Sequence, residues 1–143
     1  MNAANIAEML RKDREEWAAL TALLDADPDR AVHQDGHEWI ARDVYNHFAR
    51  WLAHSTNDFE ATLRGERLPR PEGTDDEINA RWQAEDSKLS FEEARDRANR
   101  EFDRRLQVIE SLSEDRWTEP LWAIAHADGW EHIAAHRRYV EGS

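Results

Sequence analysis

Ile40, Val44, His47, Trp51 and His54 are spaced by four, three, four and three residues, within a stretch from Trp39 to Leu63 that holds no proline or glycine. Steps of this size keep side chains on one face of an α-helix, whereas a strand would divide them between two faces. A stripe of this kind is the seam by which a helix joins a bundle, and this one carries a histidine at its centre.

The same spacing recurs elsewhere. Ile6, Met9, Leu10, Trp17, Leu20, Leu23 and Leu24 predict a first helix from Ala3 to Asp25, closed by Asp27-Pro28. Asp29 to Glu38 reads as a loop, with His33 and His37 in solvent, and the second helix runs from Trp39 to Leu63. Two prolines and two glycines between Arg64 and Thr74 predict a long crossover in place of a tight hairpin. Thr74-Asp-Asp-Glu77 is a capping box that opens a short helix to Asp86, with Ile78 and Trp82 four residues apart. Ser90-Phe-Glu-Glu93 is another, opening a third long helix to Leu112 whose seam is Ala94, Ala98, Phe102, Leu106 or Arg105, and Ile109. Ser113 to Ala127 lacks clear periodicity, and its indoles Trp117 and Trp122, with Trp130, are of a kind to pack the core or wall a cleft. The last helix starts at Asp128, capped by the Asp128-x-x-Glu131 pair. Valine-, isoleucine- and threonine-rich alternation is nearly absent, so strands are not expected. The expected fold is all-α: one domain over residues 1–143, a four-helix bundle with a long crossover between helices two and three and an additional short helix.

On the last helix His132 and His136 are four residues apart and share an arc of roughly 120° with Ile133, Tyr139 and Val140. Two imidazoles on a core-facing stripe need partners, and a metal ion satisfies both at once. His47 is the natural third ligand, with His54 its competitor two turns along the same face. Three neutral imidazoles suit zinc, nickel, iron or a similar divalent ion, and leave positions open for water or a substrate atom. Asp43, Asp58 and Glu131 stand near the histidines as candidate general bases, or as carboxylates that orient the rings.

Trp39-Ile-Ala-Arg-Asp43-Val-Tyr-Asn-His47-Phe-Ala-Arg-Trp51 resembles the second-helix signature of the DinB-like (DinB/YfiT) four-helix-bundle superfamily. The closing Glu131-His132-Ile-Ala-Ala-His136 is similar to that superfamily's final-helix His-x-x-x-His, while Asn79 and Ser90-Phe-Glu-Glu93 resemble its colibactin-resistance-type branch. The resemblance implies a three-histidine metal centre at His47, His132 and His136, and a homodimer. It also implies a transferase working with a small thiol such as bacillithiol or mycothiol, or else a hydrolase, serving detoxification or stress response. A non-catalytic bundle that binds a ligand or partner, its metal site structural or vestigial, is the alternative.

Charge and composition narrow the partners. A formal charge of −12 opposes nucleic acid and anionic lipid, and leaves a small-molecule substrate as the expected partner. No cysteine is present, so neither disulfide nor thiolate chemistry can come from the chain's own side chains. There is no apolar run long enough to span a bilayer and no start resembling a signal peptide, so a cytoplasmic location is expected.

Overall fold

The computed structural model describes residues 2–34 and 36–143. It is mostly helical, with α1 (Ala3–Ala26), α2 (Ala41–Leu63), α3 (Asp75–Asp86), α4 (Phe91–Ser111), α5 (Glu119–Ala127) and α6 (Trp130–Glu141), and a single 3-10 turn at Glu114–Arg116. Among the described residues no helix is long and apolar enough to cross a membrane.

Local chemistry sets most of the boundaries. Asn2, Thr74 and Ser90 each accept a hydrogen bond from the backbone three residues on, and the side chains of Asn5, Glu77 and Glu93 close the reciprocal bond. The apolar stripes then decide what packs: α2 lies along α4, and α1 along α6. Trp17, Tyr45, Phe48 and Phe102 centre one cluster, where Trp17 stacks on Phe102 at 4.8 Å and meets Phe48 edge-on at 5.6 Å. Met9, Leu10, Phe59, Ile109, Trp117 and Leu121 form a second cluster towards the other end.

Three sequence expectations are corrected. A two-stranded antiparallel hairpin, β1 (Ala31–Gln34) and β2 (His37–Ile40), occupies most of the expected loop and the expected first residues of helix two. Asp35 lies outside the described residues; Gly36, at φ +79°, supplies the turn conformation that a side chain disfavours. Val32 and Trp39 pair across the ladder and are both buried, so the hairpin closes over the core. Helix two accordingly begins at Ala41. The stretch before the last helix is not irregular either: α5 is capped by Thr118, with Pro120 in its first turn. Of the two residues offered at one position of the α4 seam, Arg105 is buried and Leu106 is half-buried against the core. Finally, α6 begins at Trp130 with Gly129 as a cap that offers no side chain, so Asp128 and Glu131 form no capping box.

The tryptophans are buried or half-buried, and Leu68 is the one large hydrophobic residue exposed among those described.

Phe48 is fully buried and touches all three candidate ligand rings, at 5.3 Å from His47, 4.9 Å from His132 and 5.0 Å from His136. Its replacement by alanine should destabilise the fold by about 3–5 kcal/mol, because a ring-sized cavity cannot fully collapse. Urea denaturation of Phe48→Ala checks this; a loss below about 1 kcal/mol would mean that the ring is not a keystone of the packing.

Candidate metal centre

His47 stands in the second turn of α2, while His132 and His136 occupy successive turns of α6. The helices meet through these rings. His132 Nε2 lies 3.2 Å from His47 Nε2 and 3.1 Å from His136 Nε2, and the three ligand atoms fall within 4.8 Å of one another. Ligands about 2.05 Å from a common ion would be separated by about 3.3 Å in tetrahedral geometry and about 2.9 Å in octahedral geometry. The two separations from His132 fall between those values.

Protons alone serve this arrangement badly. A neutral His132 Nε2 either donates one hydrogen or offers one lone pair, so it cannot satisfy two facing nitrogens. A shared cation accepts all three lone pairs at once. Binding through Nε2 requires the proton on Nδ1, and the Nδ1 atoms of His47, His132 and His136 are buried without a hydrogen-bond partner among the described residues. The Asp128 carboxylate stands 3.2 Å from His132 Nδ1, within ion-pair range but outside hydrogen-bond alignment, so a small rotation of either group would join them.

Electrostatics favour the neutral ligand form. Burial holds His47 well below the ordinary imidazole range, reinforced by His136 and His132 and opposed by Asn79. Burial does the same for His136, with His132 adding to it. Trp39 contributes to that burial: its ring lies 5.2 Å from His47 and stacks parallel to His136 at 6.3 Å.

On its open side the triad faces a cleft of about 1000 Å³ bounded by α2, the crossover, the start of α3, α5 and the start of α6. Trp51, and none of Trp117, Trp122 and Trp130, is the indole of its wall. Trp117 instead packs on Phe59 at 5.4 Å and on Trp122 at 5.9 Å, which places it in the core.

The remaining candidates separate by what already holds them. His54 lines the cleft with its ring edge-on to Trp51 at 5.9 Å and is not part of the converging cluster. His126 lies on Trp122 at 4.4 Å and also lines the cleft. His33 and His37 belong to the hairpin, and His37 lies 3.8 Å from Asp76. Asp43 Oδ2 accepts from the Ile40 backbone N–H at 2.9 Å, so this carboxylate caps α2. Asp58 faces the cleft but accepts two hydrogen bonds from Arg67, each 3.0 Å, and one from Leu68 N at 3.2 Å. Burial would raise its pKa, but those bonds prevail and hold it below the usual carboxylate value. Glu131 is exposed on the rim. Asp128, expected as a cap, stands four residues before His132, the helical spacing at which a side chain reaches the ring one turn on.

No protein-family model matches the chain, and no curated protein matches it. Two solved structures share its fold. One is an uncharacterised protein from Escherichia coli UTI89, with a TM-score of 0.79 and 16% identity, over 96% of this chain and 91% of the other. The second is an uncharacterized protein from Clostridium difficile 630, with a TM-score of 0.75 and 14% identity, over 96% of this chain and 94% of the other. Likeness at such identity establishes the fold alone.

The lowered pKa values of His47 and His136 have a consequence for the metal-free protein. Between their folded values and the ordinary 6.5, the unfolded chain binds protons that the folded chain does not. Stability from these rings is therefore complete above 6.5 and lost as pH falls below it. Urea midpoints should decline on acidification from pH 7.5 to about 5, and less steeply in His136→Leu. Identical slopes for the two proteins would contradict buried, neutral rings.

Proposed function

We propose that the chain is a metal-dependent protein of the DinB-like type, with α1, α2, α4 and α6 as the four helices of its bundle. It holds one divalent ion on His47, His132 and His136 and acts on a small molecule in the adjoining cleft. The observation that carries this reading is the pair of Nε2 separations, 3.1 and 3.2 Å, by which rings from two helices converge on His132. The cleft lies at the upper end of the usual range for small-molecule sites, about 300–1000 Å³. Zinc, nickel and iron all suit three imidazoles.

Within that class, the carboxylates favour transfer from an activated thiol over base-assisted hydrolysis. Asp43 is committed to the α2 cap and Asp58 to Arg67, which leaves Glu131 as the one member of the proposed trio with an uncommitted carboxylate. A divalent ion would supply the acidification of a bound thiol, for which a separate strong base is unnecessary. His47, His132 and His136 would hold the ion, Phe48 and Trp39 would exclude water behind it, and Trp51 would face the substrate. A low-molecular-weight thiol would enter from the cleft, and the electrophile it modifies would be the compound removed.

Zinc titration of untagged, metal-stripped protein should show one ion per chain. His47→Ala, His132→Ala and His136→Ala should each weaken binding by more than about a hundredfold, the upper range for loss of a mere outer partner. Saturation at about a hundred times Kd should add about 2.7 kcal/mol of stability, seen as a higher Tm that a chelator reverses. Zinc-loaded protein given a small thiol and an electrophile should yield a thioether by mass spectrometry. An absence of zinc binding would overturn the metal reading, and hydrolysis without adduct would favour the hydrolase.

A further inference from the structure

The N-terminus of α6, which carries His132 in its first turn, has no cap of its own because Gly129 lacks a side chain. Its acceptor comes from α1: Asp13 Oδ1 accepts from the Trp130 backbone N–H at 2.8 Å. The other oxygen of Asp13 accepts from Arg105 of α4, through Nη2 at 2.9 Å and Nε at 3.2 Å. Asp13 is 0% exposed and Arg105 2%, so an ion pair is sealed in the core where α1, α4 and the start of α6 meet.

A buried pair of this kind contributes little net stability, because desolvating both charges offsets their attraction; its best-attested use is to fix register. What this pair fixes is specific. Asp13 holds the amide two residues before His132, and Arg105 in turn orients Asp13. Gly129 is tied to the same point by space. A Cβ there would lie 2.9 Å from Arg105 Nη2 and 3.2 Å from both Asp13 Oδ1 and the Ala125 carbonyl oxygen. Sliding or rotating α6 by one residue would carry His132 away from His47, since successive helical residues differ by about 100°.

We propose that Asp13 and Arg105 are positioning residues for the metal ligands, locking the start of α6 in the register that aims His132 at His47. This rests on the metal reading above. The pair touches neither ligand ring nor cleft; it acts through the Trp130 amide and the backbone that follows.

The test compares wild type with Asp13→Leu/Arg105→Leu, which removes both charges together and leaves neither unpaired. Circular dichroism should remain helical, while amide exchange at Trp130 accelerates at least about tenfold and zinc affinity falls about ten- to a hundredfold, the range for loss of a ligand-orienting contact. The visible spectrum of the cobalt(II)-loaded double variant should also shift, because coordination geometry and not only occupancy changes. A folded double variant with wild-type zinc affinity and an unchanged cobalt spectrum overturns the positioning role alone. Should the double variant fail to fold, Gly129→Ala carries the same test: its Cβ presses on Arg105 and Asp13, and wild-type affinity there overturns the proposal equally. Wild-type protein that binds neither zinc nor cobalt overturns the metal reading, and the positioning role with it.

Discussion

The structure depends on bringing two rings of α6 and one ring of α2 to a single point inside a desolvated pocket. The two helices do not achieve this by lying along each other. Helix α6 packs on α1 and α2 packs on α4, so the imidazoles span what is left between the two pairs. Removing three polar rings from water is unfavourable unless their nitrogens find partners. Phe48 and Trp39 exclude the water, and the rings then face one another at hydrogen-bond distance with no arrangement of protons that satisfies them all.

Depth within the site is graded. His136 and His47 are buried, at 5% and 8% exposure, whereas the His132 side chain is 22% exposed beside the cleft. One side of the cluster is thus closed by the hairpin and core, and the other is open to a small molecule. Around that opening Arg67 holds Asp58 and Arg70 meets Asp75, while among the described residues Asp76, Asp128 and Glu131 face it without an arginine or lysine of their own. An entrance of this kind is polar and carries more negative than positive side chains, which disfavours approach of a strongly anionic molecule.

Packing also explains why α1 and α4 each carry one charge on an otherwise apolar seam. Asp13 lies between Met9 and Trp17 at steps of four, and Arg105 lies between Phe102 and Ile109 at steps of three and four. Each alone would be an expensive defect. Together, and with the Trp130 amide, they form one satisfied network joining three helices. Opposite charges on two seams were a readable sign of this pair, but only if the two helices were known to face the same point.

Helical periodicity sufficed for the helical character of the chain and for the placing of His47, His132 and His136 on inward faces, and the capping boxes at Thr74 and Ser90 sufficed for the starts of α3 and α4. These properties depend on neighbours within one or two turns, which the amino-acid order specifies directly. The hairpin escaped because its strands have four residues each and its stabilising partner, the core beneath Val32 and Trp39, is remote in sequence. The start of α6 escaped because its cap is supplied by Asp13, 117 positions away. Tertiary structure alone decided that His47 and not His54 meets the His132 and His136 pair, that Asp43 and Asp58 are occupied by a helix end and an arginine, and that Trp51 walls the cleft. Each of these outcomes depends on distances between elements, and local periodicity contains no term for such distances.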